Sequence, residues 1–236
     1  MSKTNCWSDF EVALGALDRV LVYGVPGTGK THTALTHQVG DGGAFRLVCT
    51  PDMTTFDVAG GFMPSKDGGF EYVEGAALKA WRGNGVVGGR LVVDEVDRAG
   101  GDALSQLLAF LDSTASAVFI HPVTGERVTP LPGFSVVLTT NLPDPDLLDS
   151  ALRDRFPVAV NIDEAHPSAL DSVPNDLLHL AEAFVGKDSG VSLRTVYAFA
   201  TLREVVGLER AARMTFSPSK VADILDALAV NSLTTR

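Results

Sequence analysis

Residues 24–31 read Gly24-Val25-Pro26-Gly27-Thr28-Gly29-Lys30-Thr31 and fill every fixed position of the pattern G-x-x-x-x-G-K-[ST]. The flanks are the ones this pattern needs. Before it, 19–23 (RVLVY) is an apolar run of strand formers stopped by a glycine, and after it 30–38 reads as a helix. The glycines permit a tight loop whose backbone N–H groups turn toward anionic oxygens, and the helix start adds partial positive charge. In such a loop the Lys30 ammonium reaches the β- and γ-phosphates of a nucleotide, and the Thr31 hydroxyl can hold Mg²⁺. The candidate nucleotide contacts are therefore Gly24, Val25, Pro26, Gly27, Thr28, Gly29, Lys30 and Thr31, with His32 next in the chain.

Outward from this loop, β-prone runs recur at 44–49 (AFRLVC), 90–93, 134–139 (FSVVLT) and 158–162, with helical spacing at 76–81, 102–111 and 147–153. Strand and helix alternate, which predicts a parallel sheet with helices on both faces. Segment 51–75 reads as loop, with glycines at 60, 61, 68, 69 and 75, and 118–129 reads as a hairpin turning at Thr124-Gly125. Beyond about residue 165 only helical periodicity remains, at 175–186, 192–206 and 218–230, the last introduced by Ser217-Pro218. The expected organisation is an α/β three-layer domain over 1–164 and a small all-helical domain over 165–236. Trp7, Phe10, Leu14 and Leu17 form an amphipathic stripe ahead of the first strand, read as core or as a subunit contact.

Composition narrows the partners. With 236 residues, 45% hydrophobic and 20% charged, the chain is long enough for a core without staples and is not disordered. The 19 Lys+Arg against 29 Asp+Glu leave a formal charge of −10, which argues against a whole-molecule electrostatic grip on nucleic acid or anionic lipid. Two cysteines, Cys6 and Cys49, are too few for a disulfide scaffold and fit a reduced compartment. No stretch approaches the roughly 18 apolar residues of a membrane span, and the first residues lack a leader pattern. The expectation is a cytoplasmic protein. His32, His37, His121, His166 and His179 are scattered without metal-ligand spacing.

The strand 91–93 ends in Asp94-Glu95. Asp94, at a strand end facing a phosphate loop, suits the Mg²⁺ shell, so the metal-site candidates are Thr31 and Asp94. Glu95 can polarise an attacking water as a general base, and a second acid beside a metal ligand suits hydrolysis better than transfer to an alcohol.

In this order of motifs the chain resembles the AAA+ ATPases, in particular the MoxR-like branch. The resemblance is carried by GVPGTGKT (24–31), FDVAGGFMPSKDGGFEYVEGAAL (56–78), LVVDEVDRA (91–99), VVLTTN (136–141) and SALRDRF (150–156), and it spans roughly 19–236. It implies an Mg²⁺-dependent ATP hydrolase, with an AAA+ sheet domain and a helical lid. It implies that Asn141 orients the water and senses the γ-phosphate. It also implies an arginine finger for the neighbouring subunit's nucleotide, from Arg155 with Arg153 as the alternative, because a guanidinium stays charged and forks onto phosphate oxygens. Arg194 stands where the lid arginine would touch the γ-phosphate, although Leu193 replaces a proline common in the branch. The resemblance further implies a homo-hexameric ring that remodels, activates or loads a protein partner, with a von Willebrand A-domain protein as a possible adaptor.

The resemblance also implies that segment 56–70 is an insertion facing the central pore of the ring. Its Phe56, Phe62, Met63 and Phe70 are read either as gripping a partner or as folding back on the sheet. The competing function is a nucleic-acid motor. Against it stand the charge of −10 and a pore segment 51–75 whose sole cation is Lys66.

Overall fold

The computed structural model describes residues 5–185 and 191–234, so position 186 of the expected helix 175–186 lies outside the described residues. The chain divides into two compact units, Met1–Tyr23 with Lys30–Asn161, and Gly24–Gly29 with Ile162–Arg236.

The sheet contains strands β1 (Arg19–Gly24), β2 (Ala44–Val48), β3 (Arg90–Asp94), β4 (Ser135–Thr139) and β5 (Ala159–Ile162), hydrogen-bonded in the order β2-β3-β4-β1-β5. The pairings of β2 with β3, β3 with β4 and β4 with β1 are parallel. Parallel neighbours need crossovers, and the crossover helices cover the faces. All five residues of β3 are therefore buried, and between Arg90 and Asp94 its sequence is a continuous apolar run rather than an alternation. Leu21, Leu91, Val93, Val136 and Leu138 enter one cluster with Leu78, Trp81, Leu107 and Phe110. The alternate residues Val20, Val22, Val92 and Val137 are also buried and point to the other face, as a period of two requires.

Two arginines at the starting ends of strands tie this sheet to its helices. Arg19, opening β1, donates to the carbonyls of Leu111 and Asp112, just past helix Gly101–Phe110. Arg90, opening β3, donates to the carbonyls of Ala34 (3.1 Å), His37 (2.6 Å) and Gln38 (3.0 Å), at and beyond the end of helix Lys30–Thr36. The last carbonyls of a helix lack intrahelical donors, and a cation there also suits the helix dipole. Arg90 therefore fixes the helix that starts with Lys30 to the strand that ends with Asp94.

Segment 51–75 is not the expected loop. Thr55–Val58 is a short helix, its start secured by the Asp57 carboxylate accepting from Thr54 N and Oγ1. Gly60–Pro64 and Phe70–Glu74 then pair as an antiparallel hairpin. The glycines read as breakers in sequence, but Gly60 serves close approach: with φ of +112°, a Cβ there would lie 2.2 Å from the Val73 carbonyl. Phe62 faces Tyr72 across the strands with ring centroids 5.6 Å apart, and Tyr72 Oη donates to Ala59 O. The helix expected over 147–153 is instead a 3₁₀ turn, Pro145–Leu147, followed by Ser150–Arg155 capped by Asp149. In helix Cys6–Ala16 the buried positions are Trp7, Phe10, Ala13 and Leu14; Leu17 lies past the helix end and is exposed.

The second unit packs helices Asn175–Phe184, Leu193–Val206, Leu208–Thr215 and Pro218–Thr234 around Leu177, Leu180, Val196, Phe199, Phe216 and Ile224. Helix Leu208–Thr215 is absent from the sequence expectation, because LERAARMT is polar around most of its turn; it buries only Ala211 and Ala212. Among the described residues no helix is long and apolar enough to cross a membrane.

Candidate nucleotide site

Loop 24–29 has positive φ at Gly24 (+119°), Gly27 (+76°) and Gly29 (+114°), which turns its backbone without the cost an L side chain would add. Thr28, fully buried, donates from Oγ1 to Val25 O at 3.1 Å. A Cβ on Gly27 would come within 2.5 Å of the Ser192 Cβ, so position 27 also admits no side chain sterically. Ser192 caps helix Leu193–Val206, and Arg194, its second residue, is exposed.

The carboxyl ends of β1, β3 and β4 bring together the residues that begin helix Lys30–Thr36, end β3 and follow β4. Lys30 Nζ donates to Asn141 Oδ1 at 3.1 Å, and Thr31 Oγ1 donates to Asp94 Oδ1 at 2.8 Å. Lys30 and Asp94 are each only 6% exposed. Burial pushes the Lys30 ammonium down to about 8, against the opposing pull of the Asp94 carboxylate. For Asp94, burial favours the neutral acid. Hydrogen bonds from Thr139, Arg46 and Thr31, with the Arg46 charge, outweigh it and hold the carboxyl below the ordinary aspartate value.

Glu95 follows in the left-handed region (φ +57°, ψ +45°), a conformation uncommon for a residue with a side chain. Its N–H donates to Thr139 Oγ1 at 3.3 Å and its carboxylate pairs with Arg98 Nη1 at 3.0 Å. Asn141 is exposed, and the backbone before it is anchored by Thr140, whose N–H donates to Val22 O (3.1 Å) and whose hydroxyl donates to Asp97 Oδ1 (2.5 Å).

The other expected site residues are exposed or bonded elsewhere. His32 is exposed. Arg153 is engaged at home, by Nε to Asp146 Oδ1 at 3.2 Å and by Nη1 to Phe156 O. Arg155 donates from Nη1 to Ala151 O at 2.9 Å, and its buried Nε has no hydrogen-bond partner. His121 turns Nδ1 toward the N–H groups of Val123 and Thr124, and no group of three His, Cys, Asp or Glu side chains among the described residues could hold a metal ion.

Three contributors escaped the sequence reading. Thr139 bridges Asp94 and Glu95, and Arg46 and Arg98 pair with the two acids. The i,i+3 spacing of Glu95 and Arg98 was a readable signal. The other two depend on strand register.

A phosphate-loop pattern after the first strand, with strand order β2-β3-β4-β1-β5, defines a P-loop nucleoside-triphosphatase fold. Residues 19–156 match the family described as AAA domain (dynein-related subfamily), and the chain belongs to that family. It is an ATP-hydrolysing enzyme. No curated protein matches the chain. Among solved structures, a point mutant of RuvB from Thermotoga maritima shares the fold, at 16% identity and TM-score 0.52, over 95% of this chain and 66% of its own. A Cytophaga hutchinsonii protein assigned as an ATPase is 17% identical, over 94% of this chain and 72% of its own, with TM-score 0.46. A full-length MCM homolog from Methanopyrus kandleri is 21% identical, over 61% and 29%, with TM-score 0.42.

Proposed function

We propose that this chain is a MoxR-like AAA+ ATPase that couples Mg²⁺-dependent ATP hydrolysis, in a cytoplasmic homo-hexameric ring, to remodelling, activating or loading a protein client. The observation that carries this reading is the bonded group of Lys30, Thr31, Asp94 and Asn141, with Glu95 next in the chain. A buried ammonium whose pKa is depressed is stabilised by an incoming polyanion, so Lys30 suits the β- and γ-phosphates. The Thr31 hydroxyl and the Asp94 carboxylate are hard oxygen donors 2.8 Å apart, a set that fits Mg²⁺. When bound, the ion neutralises phosphate charge that builds up as the terminal phosphoryl leaves. Glu95 takes the proton of the attacking water at its carboxylate, once Arg98 yields that oxygen. Asn141 orients the water through its amide.

In this reading residues 1–164 are the nucleotide-binding domain and 165–236 the lid, whose Arg194 reaches for the γ-phosphate. Arg155 is the finger given to the next subunit. It is less committed than Arg153, whose guanidinium is already shared between a carboxylate and a carbonyl. Head-to-tail contacts in a closed ring allow one copy to complete its neighbour's site. The exposed Phe62, Met63 and Phe70 of the 60–74 hairpin supply apolar contacts for a protein client, directly or beside an adaptor such as a von Willebrand A-domain protein. The acidic balance and the lone Lys66 in 51–75 disfavour a nucleic-acid track.

The test mixes two inactive variants. Arg155→Ala retains the base but lacks the finger, and Glu95→Gln retains the finger but lacks the base. Mixed rings are expected to recover part of the wild-type ATPase rate. Co-assembly without recovery, shown by sizing the mixture, contradicts the shared site.

A further inference from the structure

Asp94 is held from two sides by donors of different kind. On Oδ1 it accepts from the hydroxyls of Thr31 and Thr139, both neutral. On Oδ2 it accepts from a full positive charge, the Arg46 guanidinium, through Nε at 3.1 Å and through Nη2. Arg46 comes from β2, at the edge of the sheet, where β3 is its hydrogen-bonded neighbour. The register sets Arg46 opposite Val92 and Val48 opposite Asp94, so the arginine reaches two residues along its strand to meet the carboxylate. Its side chain is 48% exposed while that of Asp94 is 8% exposed. Leu47 is buried while its neighbours Arg46 and Val48 are exposed, so Arg46 sits on the open face of β2. One end of the ion pair is therefore fixed in the core and the other is free to leave into solvent.

We propose that Arg46 is a positioning residue that sets the metal affinity of Asp94, acting as a tethered cation that competes with Mg²⁺ for the same carboxylate. The inference rests on the reading of Asp94 as a metal ligand. A carboxylate bared of metal in a buried place needs a counter-charge, and Arg46 supplies it without closing the site, because its own side chain remains half in water. A dication brought to the same carboxylate meets the repulsion of the guanidinium. With water-like screening, charges sharing one carboxylate oppose each other enough to change metal affinity about tenfold. Thr31 and Thr139 hold Oδ1 whether or not Arg46 stays, so the carboxylate keeps its orientation when the arginine leaves.

The test uses the full chain with saturating ADP and Mn²⁺ as the probe, the bound ion being read from the loss of the free-ion resonance signal. Arg46→Gln and Arg46→Met, two neutral replacements on an exposed strand face, are expected to bind Mn²⁺ about tenfold more tightly than the wild type. Either one, if folded, decides the matter. Arg46→Lys keeps the charge and is expected to stay within about twofold of the wild type. Unchanged or weaker Mn²⁺ binding in the neutral variants overturns the proposal, as does a lysine variant that tightens as much as the glutamine one. A wild type that binds no Mn²⁺ beside ADP is a separate outcome, which overturns the reading of Asp94 itself.

Discussion

The carboxyl ends of β1, β3 and β4 and the hairpin 60–74 lie in the same unit and obey opposite rules. At the strand ends the side chains are polar and, for Lys30, Asp94 and Thr139, buried, with each carboxylate oxygen of Asp94 holding donors. On the hairpin three large apolar side chains, Phe62, Met63 and Phe70, stand in water, with Phe70 74% exposed and Phe62 56%. A buried polar group costs free energy unless it is paired, whereas an exposed aromatic costs little until it meets a partner. In the proposed reading the first region suits a small charged ligand in a fixed pose, and the second a large apolar partner in an adjustable one. Substitutions in the two regions should separate cleanly, the first moving nucleotide chemistry and the second leaving it alone.

The largest effect is expected at Lys30. Lys30→Ala removes the buried cation and leaves Asn141 Oδ1 without that donor; ATP affinity, measured by equilibrium binding, should fall at least about 100-fold. Next comes the brace under that site. Arg90→Met deprives three carbonyls at and beyond the end of helix Lys30–Thr36 of their donor, and chemical denaturation should report a loss of about 3 kcal/mol.

A smaller, graded effect follows from proton binding. The Lys30 ammonium titrates at about 8 in the free site. Below that pH it is charged and attracts phosphate; above it the charge is lost, so the dissociation constant for nucleotide should rise, by at most about tenfold per pH unit. Affinity independent of pH between about 7 and 9.5 would contradict a Lys30 ammonium that both titrates near 8 and meets the phosphates. The smallest effect is expected on the hairpin. Phe70→Ser should change stability by no more than about 0.5 kcal/mol and leave basal ATPase activity as it was, while weakening any client-dependent output. A drop in basal rate there would erase the contrast between the two regions.

Much of the first region was legible in the sequence, because local spacing encodes it. A glycine pattern between a strand and a helix, and an apolar run ending in two acids, need no long-range information to be seen. Thr139 stands in the stretch VVLTTN, yet its bridge from Asp94 to Glu95 depends on the parallel register of β3 and β4, which places Val93 beside Leu138. Arg46 was hidden for the same reason, since its reach to Asp94 follows from the pairing of β2 with β3. The hairpin was missed because glycine carries two meanings, breaker and close-contact residue. The available signal was the run Phe70-Glu71-Tyr72-Val73, where three of four residues are aromatic or β-branched strand formers. Arg153 and Arg155 could not be separated by sequence, since both end one short helix; their different engagements emerge only from hydrogen bonding.

The central claim is that Glu95 is the base beside a working ATP site. It is tested most directly by incubating Glu95→Gln with radiolabelled ATP and Mg²⁺, isolating the protein, and identifying the nucleotide it carries. The account predicts intact ATP held at wild-type affinity, with turnover reduced about 100-fold or more. Release of ADP and phosphate at the wild-type rate would contradict it.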